Sequence, residues 1–104
     1  MQPALPILII EGLDVQAFSS VQSAQSHLET WWVKEQRGRA YDAHGRRMVA
    51  TCRGQQVLLS LDAGTLPQQD ELAQALRSHF RAIKKSNVRD DSSLGELVAA
   101  LTPR

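Results

Sequence analysis

The residues best suited to chemistry are three histidines, one cysteine and a group of arginines. His27, His44 and His79 are far apart in the chain, and no two stand four residues apart, as paired metal ligands on a helix would. A nucleophile needs a general base within hydrogen-bonding reach, and the sequence places none beside Cys52. We therefore predict no metal site, no cofactor and no catalytic residue, and expect a protein that is not an enzyme.

Five of the nine arginines lie within one short stretch of the chain. They are Arg37, Arg39, Arg46, Arg47 and Arg53. Guanidinium groups bind carboxylates and phosphates, so this stretch suits an acidic protein surface or RNA. The alternative is a solvated sheet edge, partly neutralised by Asp42 and Glu35. Only Tyr41 offers a ring for base stacking, and the net charge is +1, so nucleic acid is not the expected partner.

Two adjacent tryptophans are the other unusual feature. Neighbouring helical side chains point about 100° apart, so Trp31 and Trp32 cannot both face the core. One of them is expected to be exposed, where a tryptophan is a frequent anchor of protein interfaces. The alternative is that it covers the edge of the core. The candidate partner-binding residues are Trp31, Trp32, Arg39, Asp42, Arg46 and Arg47.

Residues 39–61, which carry most of these candidates, are predicted to form two β-hairpins that share a central strand. Two-residue turns at His44-Gly45 and Gly54-Gln55 fix the register of both hairpins. Asp42 then faces Arg47, and another set of side chains shares the opposite face. That set is Tyr41, Met48, Ala50, Cys52, Val57, Leu59 and Leu61. We expect this face to lie on the core, with Cys52 buried and unreactive.

The remaining elements follow from apolar spacing and from capping residues. Residues 7–10 predict a strand buried on both faces, and residues 15–18 predict a half-buried strand. A first helix begins at Ser19-Ser20, with a capping box between Ser19 and Gln22. The second helix, bearing Leu72, Leu76 and Phe80, is expected to cover the hairpin face.

The start of the second helix is predicted at a Thr65 cap, with Pro67 in its first turn. Ser93 and Glu96 form a capping box for a third helix, over residues 93–102. The resulting order is β-β-α-β-β-β-α-α. It predicts an α+β fold with a mainly antiparallel sheet and helices packed on one face.

Length and composition indicate one domain over residues 1–104. Residues 1–6 form a leader rich in proline, and residues 86–92 a flexible connection. The single cysteine excludes an internal disulfide, and no apolar run reaches the length of a membrane span. No segment has the pattern of a signal peptide, so we expect a cytoplasmic monomer or homodimer without membrane contact.

Two motifs give the chain a resemblance to known proteins. Phe18-Ser-Ser-Val-Gln-Ser-Ala-Gln-Ser-His-Leu-Glu29 precedes Ala40-Tyr-Asp-Ala-His-Gly-Arg46 and a strand. This pattern resembles a group of small bacterial proteins, over about residues 9–61. Several of them look like immunity proteins, which are encoded beside secreted polymorphic toxins and protect the producing cell by binding the toxin. The chain departs from the pattern with Gln25 for a glutamate and His27 for a tyrosine.

The resemblance implies a non-enzymatic protein-binding module, an immunity protein that binds and neutralises a cognate bacterial toxin domain. The alternative from another class is a small regulatory or nucleic-acid-binding module that uses the arginine-rich hairpin. A small enzyme, working as a dimer, ranks third. Steep salt dependence of RNA affinity would favour the second hypothesis over the first.

Overall fold

The computed structural model describes residues 2–28, 38–62, 64, 66–83 and 92–101. The strands are β1 (Ile7–Glu11), β2 (Asp14–Phe18), β3 (Arg39–Tyr41), β4 (Arg47–Arg53) and β5 (Gln56–Leu61). The helices in these ranges are α1 (Val21–His27), α2 (Gln69–Ala82) and α3 (Leu94–Ala99). All strand pairs are antiparallel, in the order β2-β1-β3-β4-β5. The predicted α+β class and element order are confirmed.

Strand β1 supplies apolar side chains to both faces of the sheet. Ile7 and Ile9 pack in one hydrophobic cluster, whereas Leu8 and Ile10 pack in a second cluster on the other side. All four side chains are buried, as predicted for this strand. A strand that is apolar on both sides requires cover on both sides.

Helices accordingly cover both faces, and the prediction that they pack on one face is wrong. Helix α1 packs on the face that bears Met48, Val57 and Leu59. The helix expected to cover those residues, α2, packs with α3 on the opposite face. The buried residues of these two helices are Leu72, Ala73, Leu76, Phe80, Leu97 and Val98.

The loop between β3 and β4 is one residue longer than predicted. Asp42 N–H donates to the carbonyl of Arg46 at 2.9 Å, which leaves three residues in the loop. Gly45, the last of them, has φ of +81°, the left-handed conformation that such three-residue hairpins use. Tyr41 consequently pairs with Arg47 rather than with Met48. Tyr41 thus lies on the α2 face, and the predicted pairing of Asp42 with Arg47 is wrong.

The register between β4 and β5 is confirmed. Met48 pairs with Leu61, and Cys52 pairs with Val57, across a two-residue turn in which Gly54 has φ of +65°. Cys52 is nevertheless exposed, so its predicted burial is wrong. Its position next to the hairpin turn explains the exposure, because the buried cluster on this face takes Met48 and Val57 but not Cys52.

The first and third helices begin with side-chain caps. The cap of α1 is Ser20, whose hydroxyl accepts from the N–H of Ser23, one residue later than predicted. Helix α3 begins with the predicted capping box between Ser93 and Glu96. None of the helices in the described ranges is long and apolar enough to cross a membrane.

Helix α2 begins later than predicted. Gln68 precedes its first residue and makes no side-chain capping bond, so Pro67 lies before the helix rather than in its first turn. Thr65, the predicted cap, lies outside the described residues. The predicted flexible connection at 86–92 also lies outside them, except for Ser92.

Candidate functional site

Helices α2 and α3 cover only part of their side of the sheet. Their cluster includes residues of β1, β2 and β3, but none of β4 or β5. The strand registers place eight residues on the part that is left or at its border. This open face consists of Arg39, Arg47, Val49, Thr51, Arg53, Gln56, Leu58 and Ser60.

The centre of the open face is apolar. Val49 is 40% exposed and Leu58 is 37% exposed, although both lie in the middle of strands. Val49 pairs with Ser60 and Thr51 pairs with Leu58, so the two apolar side chains are diagonal neighbours on the sheet. This places a small apolar patch in water, surrounded by hydroxyl, amide and guanidinium groups.

Arginines stand on either side of this patch along β4. Arg47 comes two residues before Val49, and Arg53 two residues after Thr51, so all four share the open face. The guanidinium groups of Arg47 and Arg53 make no hydrogen bond or ion pair with any described residue. Both groups are therefore available to carboxylates of another molecule.

Arg39 lies at the border between the open face and α2. Its guanidinium donates to the carboxylate of Glu71 and, at 3.3 Å, to the hydroxyl of Tyr41. The same group lies 5.8 Å from the centre of the Tyr41 ring. These contacts attach β3 to the start of α2, and they hold the Arg39 side chain in a fixed position.

The contacts among Arg39, Tyr41 and Glu71 shift the pKa values of Tyr41 and Glu71. Burial, followed by the hydrogen bond to Glu71, raises the pKa of Tyr41. The hydrogen bond from Tyr41 lowers the pKa of Glu71, and the neighbouring Arg39 lowers it further, while partial burial opposes both effects. Glu71 is thus held as the anion and Tyr41 as the neutral phenol.

Asp42 organises the β3–β4 loop from a fully buried position. One carboxylate oxygen accepts from the N–H groups of His44 at 3.0 Å and Arg46 at 2.9 Å. The other accepts from the N–H of Ala4 at 3.1 Å and from Nε of Arg46 at 2.6 Å. Burial alone would raise the pKa of Asp42, but the backbone and guanidinium hydrogen bonds together lower it.

The N-terminal leader is attached to this loop. The N–H of Ala43 donates to the carbonyl of Ala4 at 2.9 Å, and Nη2 of Arg46 donates to the carbonyl of Gln2 at 3.2 Å. We call these contacts, with the Asp42 carboxylate, the loop clasp. The guanidinium of Arg46 forms its ion pair with Asp42 inside the clasp. Because residues 2 and 4 are hydrogen-bonded to the loop, residues 2–4 belong to the folded domain.

The structure therefore divides the predicted site residues into three groups. Arg39 and Arg47 belong to the open face, whereas Asp42 and Arg46 form the loop clasp. Trp31 and Trp32 lie outside the described residues. Val49, Leu58 and Arg53 were not among the predicted candidates, although the alternation along β4 and β5 already placed Val49 and Leu58 away from the face of Met48.

The described part of the chain holds no group of three metal-ligating side chains. The chain has no match among known protein families, curated proteins or solved structures.

Proposed function

We propose that this chain is a non-enzymatic protein-binding module and that the open face is its binding surface. The observation that supports the proposal is the exposure of Val49 and Leu58 in the middle of β4 and β5, on the side of the sheet where helices α2 and α3 cover only β1, β2 and β3. An exposed apolar centre with a polar rim is the usual anatomy of a protein interface. Arginine is, in addition, one of the residue types enriched among interface anchors.

The charge of the open face indicates the chemistry of the partner. Arg53 has no acidic neighbour on β4 or β5, and Arg39 is balanced by Glu71. Asp62 follows β5 opposite Arg47, and its carboxylate, which also accepts from the N–H of Gly64, partly balances the charge of Arg47. The uncompensated positive charge of the face therefore lies at Arg53. A partner surface that presents carboxylates around an apolar contact would complement this face, whereas a basic surface would be repelled.

The resemblance to immunity proteins gives this partner a biological class. We propose that the chain is an immunity protein that occupies an acidic and apolar surface of a cognate toxin domain in the cytoplasm. Toxins that attack nucleic acid often present basic clefts, and such a cleft would not suit the open face. The exposed arginines thus favour contact with a toxin surface other than a nucleic-acid-binding cleft.

The experiment is co-expression of the chain with each toxin domain encoded beside its gene, scored by cell survival and by binding of the purified pair. Leu58→Glu places an unpaired carboxylate at the centre of the open face and is expected to weaken binding by at least about tenfold. Leu13→Glu is the matched control, because Leu13 is 61% exposed in the β1–β2 turn, away from the open face.

Three results separate the parts of the proposal. If no neighbouring gene product binds the chain or is neutralised by it, the immunity function is wrong. If the two glutamate variants bind a toxin domain equally well, the open face is not the contact surface. Affinity for single-stranded RNA that falls steeply with salt and is lost in Arg53→Glu would identify a nucleic-acid-binding module instead.

A further inference from the structure

A second surface feature lies at the outer edge of the β4–β5 hairpin, where it shares Gln56 and Leu58 with the open face. A cleft of about 290 Å³ separates α1 from the outer edge of β5. Glutamines supply half of the residues that line it, and no charged residue contributes. The lining includes Gln22, Gln25, Ser26, Gln55, Gln56 and Val57.

The backbone of β5 beside this cleft has a hydrogen-bonding edge that faces away from the sheet. Gln56 pairs with Arg53 across the two-residue turn, so alternation directs the N–H groups of Val57 and Leu59 away from β4. β5 is the last strand of the sheet, and in the described ranges no strand lies beyond it. The carbonyl of Val57 faces outward with its N–H.

One of these two outward N–H groups already has an acceptor. Oε1 of Gln25 accepts from the N–H of Leu59 at 2.8 Å. This side-chain amide therefore occupies the place that the carbonyl of a sixth strand would take. The N–H of Val57, two residues earlier and beside the cleft, has no acceptor among the described residues.

We propose that the cleft binds an extended peptide segment, which adds to β5 as a short sixth strand. The peptide would accept a hydrogen bond from Val57 N–H and donate one to Val57 C=O, as in other complexes formed by strand addition. Gln22 and Gln55 each carry an amide donor and an amide acceptor, so they can bond peptide groups of any sequence. Gln25 blocks the edge at Leu59 and limits the added strand to a few residues.

This binding differs in chemistry from that of the open face. The cleft holds no charge, so affinity for the peptide should change little with salt. Because the contacts are made to the peptide backbone, the sequence of the peptide should also matter little. The two surfaces share Gln56 and Leu58, but Ser26 belongs only to the cleft, so a change at Ser26 tests the cleft separately. The cleft does not depend on the immunity proposal.

The probe is the blocked pentapeptide acetyl-Thr-Val-Thr-Val-Thr-amide, added to the ¹⁵N-labelled chain and followed by NMR. We expect saturable shifts of the backbone amides of Gln56, Val57 and Leu58, together with slower hydrogen exchange of the Val57 amide. The same peptide N-methylated at every residue keeps its side chains but cannot donate backbone hydrogen bonds. It should bind at least about tenfold more weakly.

A pair of protein variants tests the location. Ser26→Trp, at an exposed position of α1, fills the cleft and should abolish the shifts. Gln74→Trp, at an exposed position of α2, is the control and should leave them unchanged. Thermal unfolding of both variants checks that each is folded.

Absence of shifts at millimolar peptide would overturn the proposal. So would equal binding of the N-methylated peptide, because the proposed hydrogen bond from a peptide N–H to Val57 C=O would then contribute nothing. Shifts confined to Arg47, Val49 and Thr51 of β4, or shifts that persist in a folded Ser26→Trp variant, would place the peptide elsewhere and refute the cleft as its site.

Discussion

Replacing Asp42 with asparagine tests whether the loop clasp contributes to folding. Asparagine has nearly the same shape, but only one of its two terminal atoms accepts hydrogen bonds. In either orientation of the amide, its NH₂ group replaces one carboxylate oxygen. The two groups that donate to that oxygen in the wild-type chain then lose their acceptor. In the wild-type chain these are the N–H groups of His44 and Arg46 on one oxygen, and Ala4 N–H and Arg46 Nε on the other.

The expected cost follows from these contacts. Two hydrogen bonds to a buried carboxylate are lost, each contributing roughly 1.5 kcal/mol or more, so the free energy of unfolding should fall by about 3 kcal/mol. For a chain of this length the midpoint of thermal unfolding should then fall by about 12–24 °C. Asp14→Asn is the matched control. Asp14 is exposed and, among the described residues, accepts only from Gln16, so loss of its charge should cost at most about 0.5 kcal/mol of stability.

The assay is urea unfolding at several pH values. Since the pKa of Asp42 is lowered in the folded chain, its contribution is complete above the ordinary value of 3.8 and is lost as the pH falls below that value. The difference between wild type and Asp42→Asn should shrink over the same range. The role of the clasp would be refuted if the two free energies of unfolding differed by less than about 1 kcal/mol at neutral pH. It would also be refuted if their difference did not shrink at acidic pH.

Three further predictions concern individual residues. Tyr41 is the only tyrosine, so ultraviolet titration of the folded chain should show a phenol pKa above the ordinary 10.0. Ionisation of this phenol at higher pH should destabilise the fold, and a pKa at or below 10.0 would contradict its burial. Cys52 should react with a thiol reagent at similar rates in the native and the denatured protein, whereas slow native labelling would contradict its exposure. Gly45→Ala should lower the free energy of unfolding by more than about 2 kcal/mol. An alanine in the left-handed conformation costs about 1–2 kcal/mol, and its Cβ at position 45 would also lie 2.9 Å from Cα of Gln69. Gly12→Ala, with open space around its Cβ, is the control; equal losses of stability would refute the close contact.

The sequence predicted the elements well because their signals are local. The strand at residues 7–10, the Ser93 capping box and the β4–β5 register each depend on neighbouring residues, and all three are confirmed. The fold class followed from the order of such elements. No long-range contact was needed for any of these predictions.

The error in the β3–β4 register arises where one side chain redirects the backbone. Asp42 accepts from the N–H groups of His44 and Arg46, and these bonds close a three-residue loop in place of the predicted two-residue turn. The added residue moves Tyr41 to the opposite face. The signal was present, since an Asp followed three residues later by Gly is typical of a type I turn.

The candidate site was predicted only in part. Arg39 and Arg47 lie on the open face, but its apolar centre depends on which strands the helices leave uncovered. That is a property of the tertiary packing of α2 and α3. The alternation of a strand gives the two faces of the sheet, but it does not state which face a helix will cover.

The alternation of β1 also bears on how the protein loses its structure. Residues Ile7 and Ile9 belong to the cluster under α1, and Leu8 and Ile10 to the cluster under α2 and α3. Because these side chains belong to one strand, neither cluster can come apart without disturbing the strand that supports the other. The two halves of the molecule should therefore melt as one cooperative unit, with coincident transitions for a probe on either face.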